Sequence, residues 1–415
     1  MRVALAGWKP APRLILRWSL IVALIIAVGG CFALEGKELT LNLDYFDVCI
    51  GTDCWDLNDN SGEMDRLMAI AAHYGVDRIL FRVSVCGVDC YHTKVMYPAN
   101  ERAFESYHRD ILDGSVGNIP SYIPRMAQVM ADLDPLAEAV KAGHKYGMKV
   151  WAWVTVFDSM YYAPPEEFFQ SHPEYTWVSR DGTKHIPGVP CYAYPEVREY
   201  RLNQMKELLT YDVDGVYLSM RSHSPWPNRG KAVATEESGS RGWGYNDPVV
   251  AAYQARYDLD PRDVDPESVH ALRFVKLKGE FLKTWLAEVH ELTQAAGVGL
   301  AMNTSVSAAD PVAAEWMYIS ADDLAREHVV DELCILAGAG LDMNHWRVLA
   351  GGDLKMTTFT GIHGKEYDIS RNQWRRGLRE MLANPTSAGA CFHEYANVYY
   401  FNLWHDIEEA VAEMT

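Results

Sequence analysis

Three carboxylates in this chain stand where an apolar run gives way to a polar loop. Asp44 follows Thr40-Leu41-Asn42-Leu43, Asp158 follows Trp151-Ala152-Trp153-Val154-Thr155-Val156-Phe157, and Glu394 follows Ala390-Cys391-Phe392-His393. Two carboxyl groups facing each other across an acetal can cleave it, one protonating the departing oxygen and the other attacking or activating water. Glu394 is the first choice for a catalytic role, because it sits beside His393 and precedes the aromatic stretch Tyr395 to Tyr400. Asp44 and Asp158 compete for the second role. Each has a structural alternative: acids at strand ends also cap helices and hold loops, and Glu394 could instead bridge to Arg82 or Arg221.

A second constellation consists of Arg82, Arg221 and His223. Arginine suits bidentate recognition of carboxylates and hydroxyls, so these residues either position a substrate or form rim ion pairs with Asp44 or Glu394. Asn303 and His363 complete the polar lining expected for such a site, with Trp153 and Trp243 as aromatic surfaces on which a sugar ring could stack. For Trp153, which shares a strand face with Trp151, an interior packing role competes directly. The histidines 223, 363 and 393 are scattered singly, without the paired spacing of a metal anchor. No metal and no other cofactor is therefore expected. Ser219 lacks the Gly-x-Ser-x-Gly elbow of a serine nucleophile.

These residues need a scaffold that brings strand ends together. Strand-like and amphipathic helix-like runs alternate from residue 39 onward, which predicts parallel βα units. The strands are read at 40–46, 78–85, 149–157, 215–219, 299–303, 332–336, 355–360 and 388–394, with helices at 63–74, 135–146, 195–210, 248–257, 271–295, 371–382 and 403–413. Eight units predict an α/β fold of the (β/α)8 TIM-barrel type, with long insertions after strands 2, 3 and 4. The fourth strand carries Asp214-Gly215-Val216-Tyr217-Leu218-Ser219. Asp214 falls at its N-terminal end, which predicts a turn or helix-linking role, and Ser219 occupies the position where sugar-cleaving barrels often carry an acid.

The insertions hold many of the 13 Trp and 23 Tyr, including Tyr91, Trp177, Trp243 and Tyr245. They either stack on sugars over the mouth or anchor the loops. Net charge is −18. An acidic body repels nucleic-acid phosphates and fits a neutral or cationic partner better than a polyanion, so a carbohydrate is expected and nucleic acid is not.

Residues 1–30 contain Arg2, Lys9, Arg13 and Arg17 but no acid, followed by an uncharged run from Trp18 to Leu34. That is an export signal, set apart from a single barrel domain spanning 31–415. Val28-Gly29-Gly30-Cys31 resembles a bacterial lipobox, which would make Cys31 a lipidated N-terminus in the cell envelope. A single N-terminal transmembrane anchor and ordinary secretion are the alternatives. Loss of residues 1–30 removes four positive charges and takes the net charge from −18 to −22. In an oxidising compartment Cys49/Cys54 and Cys86/Cys90 are spaced for local disulfides, with buried thiols the other default.

Several stretches together resemble the glycosyl-hydrolase-like 10 group of exported barrel proteins. They are Pro195-Glu196-Val197-Arg198-Glu199-Tyr200 leading into Tyr211-Asp212-Val213-Asp214-Gly215-Val216, then Gly244-Tyr245-Asn246-Asp247-Pro248-Val249-Val250 and Tyr253-Gln254-Ala255-Arg256-Tyr257. Tyr74-Gly75-Val76-Asp77-Arg78 and Val330-Asp331-Glu332-Leu333 are similar to it as well. The resemblance implies a (β/α)8 barrel, export and action on glycans. A glycan-binding lipoprotein without catalysis is the competing reading.

Overall fold

Short β-branched and aromatic runs flanked by helices give eight strands that pair only in parallel. The computed structural model describes residues 36–44, 55–85, 87–99, 119–159, 167–220, 241–305, 321–336, 342–352, 354–361, 371–393 and 395–413. Its strands are β1 (Glu38–Leu43), β2 (Arg78–Arg82), β3 (Ser84–Val85), β4 (Val88–Asp89), β5 (Lys149–Thr155), β6 (Thr176–Val178), β7 (His185–Pro190), β8 (Gly215–Ser219), β9 (Gly299–Ser305), β10 (Glu332–Leu336), β11 (Lys355–Gly361) and β12 (Gly389–His393). Eight of them close a barrel in the order β1-β12-β11-β10-β9-β8-β5-β2. This is the (β/α)8 architecture that the alternation predicts.

The helices Asn60–His73, Pro135–Lys145, Pro195–Leu208, Val269–Ala296, Arg371–Ala383 and Trp404–Ala412 coincide with predicted ones to within a few residues. They cover the barrel through a continuous apolar layer. The interior holds a separate cluster of Leu80, Trp151, Trp153, Tyr217, Ala301, Cys334 and Cys391. Because side chains alternate along a strand, that cluster identifies Arg78 and Arg82 as belonging to the inward column of β2, below and above Leu80.

At the N-terminal end the barrel is plugged by charge. Arg78 donates to both oxygens of Glu332 at 2.7 Å and to Thr40 Oγ1 at 3.0 Å, and it lies 4.6 Å from the Trp151 ring centroid. Lys355 joins Glu332 to Glu38. Room for the Trp151 indole comes from Gly215 and Gly299, where a Cβ would collide with its ring.

Asp77, Asp214 and Asp331 share one device. Each precedes β2, β8 or β10, and its carboxylate accepts the backbone N–H of Leu39, Val150 or Leu300 at 2.7–2.8 Å. Each also donates its own N–H to the carbonyl of that same residue. Asp214 is thus structural, but as a clamp onto the neighbouring strand rather than a turn or helix linker.

The insertions contain antiparallel hairpins that read in sequence as strand extensions or loop. Residues 84–85 continue the alternation of β2 but turn away to pair with β4, and β6 pairs with β7. The insertions after β5 and β8 are stitched together: Ser179 bridges Trp243, and the Asn246 carboxamide donates to the carbonyls of Glu174 at 3.0 Å and Thr176 at 2.8 Å.

Candidate active site at the barrel mouth

The C-terminal strand ends converge on Arg82. Its Nη1 donates to Asp44 Oδ2, its Nη2 to Asp158 Oδ2 at 3.1 Å, and its Nε to the Ser84 carbonyl at 3.1 Å. The guanidinium carbon lies 5.0 Å from the Trp153 ring centroid. All three charged side chains are at most 5% exposed. Two of the three sequence-predicted carboxylates are therefore brought together, on one guanidinium.

The local fold explains the meeting. Asp44 follows β1, Arg82 ends the neighbouring β2, and Asp158 stands three residues beyond the end of β5, the next strand round. Ser84 locks β2 to β5, accepting the Thr155 N–H on its Oγ at 3.0 Å and the Thr155 hydroxyl on its carbonyl at 3.2 Å. On the far side Asn303 Oδ1 accepts the Met220 N–H at 2.6 Å, which orients its carboxamide at the ends of β8 and β9.

The three side chains form a carboxylate–guanidinium–carboxylate cluster that is almost wholly shielded from solvent. A fixed negative charge in such surroundings stabilises positive charge that develops beside it. Near Asp44 and Arg82, burial first and then the Asp44 and Asp89 carboxylates push the Cys90 thiol well above its ordinary range. Cys90, Cys191, Cys334 and Cys391 are buried free thiols. Cys90 is thus found as a buried thiol, the second of the two defaults.

The structure narrows the aromatic and polar expectations. Trp243 is buried in the packed base of the insertion, where its carbonyl accepts Lys278 Nζ at 2.7 Å, so its ring is not a surface for stacking a sugar. Trp177, Tyr245 and Tyr91 are buried too; anchoring the insertions is their role. Trp153 faces the barrel interior beneath Arg82 and supports the guanidinium. Arg82 itself serves the two carboxylates, the ion-pair alternative. Glu394, Arg221, His223, His363 and Cys31 lie outside the described residues, as do Cys49, Cys54 and Cys86.

Two residues below the mouth were not anticipated. Arg201 and Gln204 lie on the barrel-facing stripe of the helix Pro195–Leu208, together with Val197, Met205 and Leu208. A polar pair at helical spacing inside an apolar stripe is a signal the sequence does carry.

No protein-family model matches the sequence, and no curated protein matches it. Solved structures similar to this chain include an exo-β-N-acetylglucosaminidase from Vibrio harveyi, at 9% identity and a TM-score of 0.42, covering 78% of this chain and 41% of that one. A noncanonic maltogenic alpha-amylase from Thermotoga neapolitana aligns at 11% identity and a TM-score of 0.45, covering 92% and 77%. The glycoside hydrolase domain of PelA from Pseudomonas aeruginosa aligns at 10% identity and a TM-score of 0.39, covering 87% and 96%. The chain thus spans well under two thirds of the length of the first of these.

Proposed function

We propose that this barrel hydrolyses glycosidic bonds of a neutral or cationic poly- or oligosaccharide, as a protein akin to the glycosyl-hydrolase-like 10 group. The observation that carries the reading is the Asp44–Arg82–Asp158 triad at the strand ends. An oxocarbenium-like transition state is a developing cation, and carboxylates held in a site shielded from solvent favour it over the neutral ground state. Carboxylates paired with arginine are acceptors only, so Asp158 or Asp44 serves as the stabilising or water-activating group. Protonation of the leaving oxygen falls to Glu394, next in sequence after the last residue of β12. Export to the cell envelope, with Cys31 as the lipid attachment point, completes the reading and gives the enzyme access to extracellular glycan.

A second reading has its own support. Both described mouth acids are engaged by Arg82, an arrangement that equally suits a non-catalytic glycan-binding barrel. A panel of neutral and amino-sugar polysaccharides, assayed for new reducing ends with wild type, Glu394→Gln and Asp158→Asn, separates the two. Hydrolysis predicts turnover by wild type and a loss of about 10²- to 10⁴-fold in Glu394→Gln. Equal turnover by wild type and Glu394→Gln removes Glu394 as the acid. Glycan binding with no turnover by any of the three proteins establishes the second reading.

A further inference from the structure

We propose that Arg201 and Gln204 are positioning residues that set where the Asp158 carboxylate stands. The inference rests on the reading of Asp158 as a working group of the mouth, and it follows from how the loop carrying Asp158 is held. That loop leaves β5 at Thr155 and reaches Ser159, with no regular structure between them. Arg201 Nη2 gathers it from behind, within 3.2 Å of the Thr155 carbonyl, 3.4 Å of the Val156 carbonyl and 3.2 Å of Ser159 Oγ. Asp158 lies between the points that this one nitrogen holds.

The same side chain reaches the other support of the triad. Arg201 Nη1 donates to Gln204 Oε1 at 3.1 Å, and Gln204 Nε2 donates to Asp89 Oδ1 at 2.7 Å. Asp89 pairs across the β3–β4 hairpin with Ser84, whose carbonyl accepts Arg82 Nε. One helix therefore braces both the loop that bears Asp158 and the hairpin that anchors Arg82. Arg201, Gln204 and Asp89 are each no more than 2% exposed. Stability alone does not call for this arrangement, because an apolar pair of similar volume would fill the stripe between Val197 and Leu208 without taking a guanidinium out of water. What an apolar pair cannot do is fix two backbone carbonyls and a hydroxyl in one geometry.

The test compares full-length wild type with Arg201→Met, Gln204→Leu and the control Lys206→Met, an exposed position on the same helix. Crystal structures report whether Asp158 Oδ2 still reaches Arg82 Nη2, and steady-state kinetics on a glycan turned over by wild type report kcat and KM separately. The expected result for Arg201→Met is an Asp158 displaced beyond hydrogen-bond reach of Arg82. In the kinetics it is a fall in kcat of about 10- to 100-fold with KM changed less than about twofold, as a misplacement near 1 Å produces. Lys206→Met should change neither. Asp158 still paired with Arg82 in a folded Arg201→Met overturns the proposal. Gln204→Leu keeps the guanidinium and is scored in the same way, so it decides the matter if Arg201→Met does not fold. If no glycan is turned over by any protein, the hydrolase reading fails, while the position of Asp158 in the variants still decides this one.

Discussion

Arg82 is the residue on which the mouth turns, and its replacement is the sharpest single probe. Arg82→Met removes the guanidinium that Asp44 and Asp158 share in a site shielded from solvent. Removing one partner of a buried ion pair costs about 3–5 kcal/mol, so urea unfolding should show a loss of that order. Arg82→Lys should recover only part of it, since an ammonium cannot present the planar fork that serves two carboxylates and a carbonyl together. A loss below about 1 kcal/mol in Arg82→Met would show that the triad does not hold the strand ends. That Asp44 and Asp158 occupy strand ends was legible from the apolar runs before them. That a single guanidinium binds both was not, because it depends on β1, β2 and β5 being neighbours in the closed sheet.

At the scale of elements, the strands and helices were readable because their periods differ. Alternation of two marks a half-buried strand and a period of 3.6 a helix with one apolar face. The reading overran where extended chain continued past the ladder: 78–85 contains β2 and the first strand of a hairpin, and 149–157 contains β5 plus the start of the Asp158 loop. Asn246 shows a local signal put to another use. It stands at the N-cap of the helix Asp247–Tyr257, where an asparagine ordinarily caps, yet its side chain makes no capping bond. Its oxygen and nitrogen instead tie the insertion after β8 to Val178, Glu174 and Thr176 of the insertion after β5. Asn246→Ala should therefore loosen the joint between the two insertions by about 1–3 kcal/mol, the cost of leaving buried partners unsatisfied. Hydrogen exchange across Thr176–Val178 should rise, whereas the barrel strands should stay protected. Unchanged exchange there would mean the insertions stand independently of this contact.

For the whole molecule, buried charge is organised differently at the two ends of the barrel. The mouth gathers Asp44 and Asp158 on Arg82, whereas the N-terminal end is closed by the mutually compensating Arg78, Glu332, Lys355 and Glu38. Burial opposes ionisation of Glu332, but Arg78 and Lys355 outweigh it and hold the carboxyl far below its ordinary value of 4.5. The native state thus binds fewer protons than the unfolded chain as the medium becomes acid. Stability from this group is fully present above about pH 4.5 and declines as pH falls from there through the lower folded value. Glu332→Gln should flatten that acid limb in urea unfolding followed from about pH 7 to about pH 3, and should be destabilising at neutral pH because Arg78 is left buried with less compensation. An acid limb as steep as that of wild type would place the titration elsewhere.

The amino-acid order by itself determined the barrel, the places of most of its strands and helices, the structural placing of Asp214 before its strand and the acids available at the strand ends. These follow from periodicity and from the polarity of residues close in the chain, which act locally. Tertiary structure alone decided that Asp44 and Asp158 share Arg82, that Trp243 packs the base of an insertion, and that Arg201 and Gln204 stand behind the Asp158 loop. Each of those depends on which distant segments the closed sheet makes neighbours. Ion pairing, burial and hydrogen-bond geometry are set by through-space distance, and closure of the barrel supplies it.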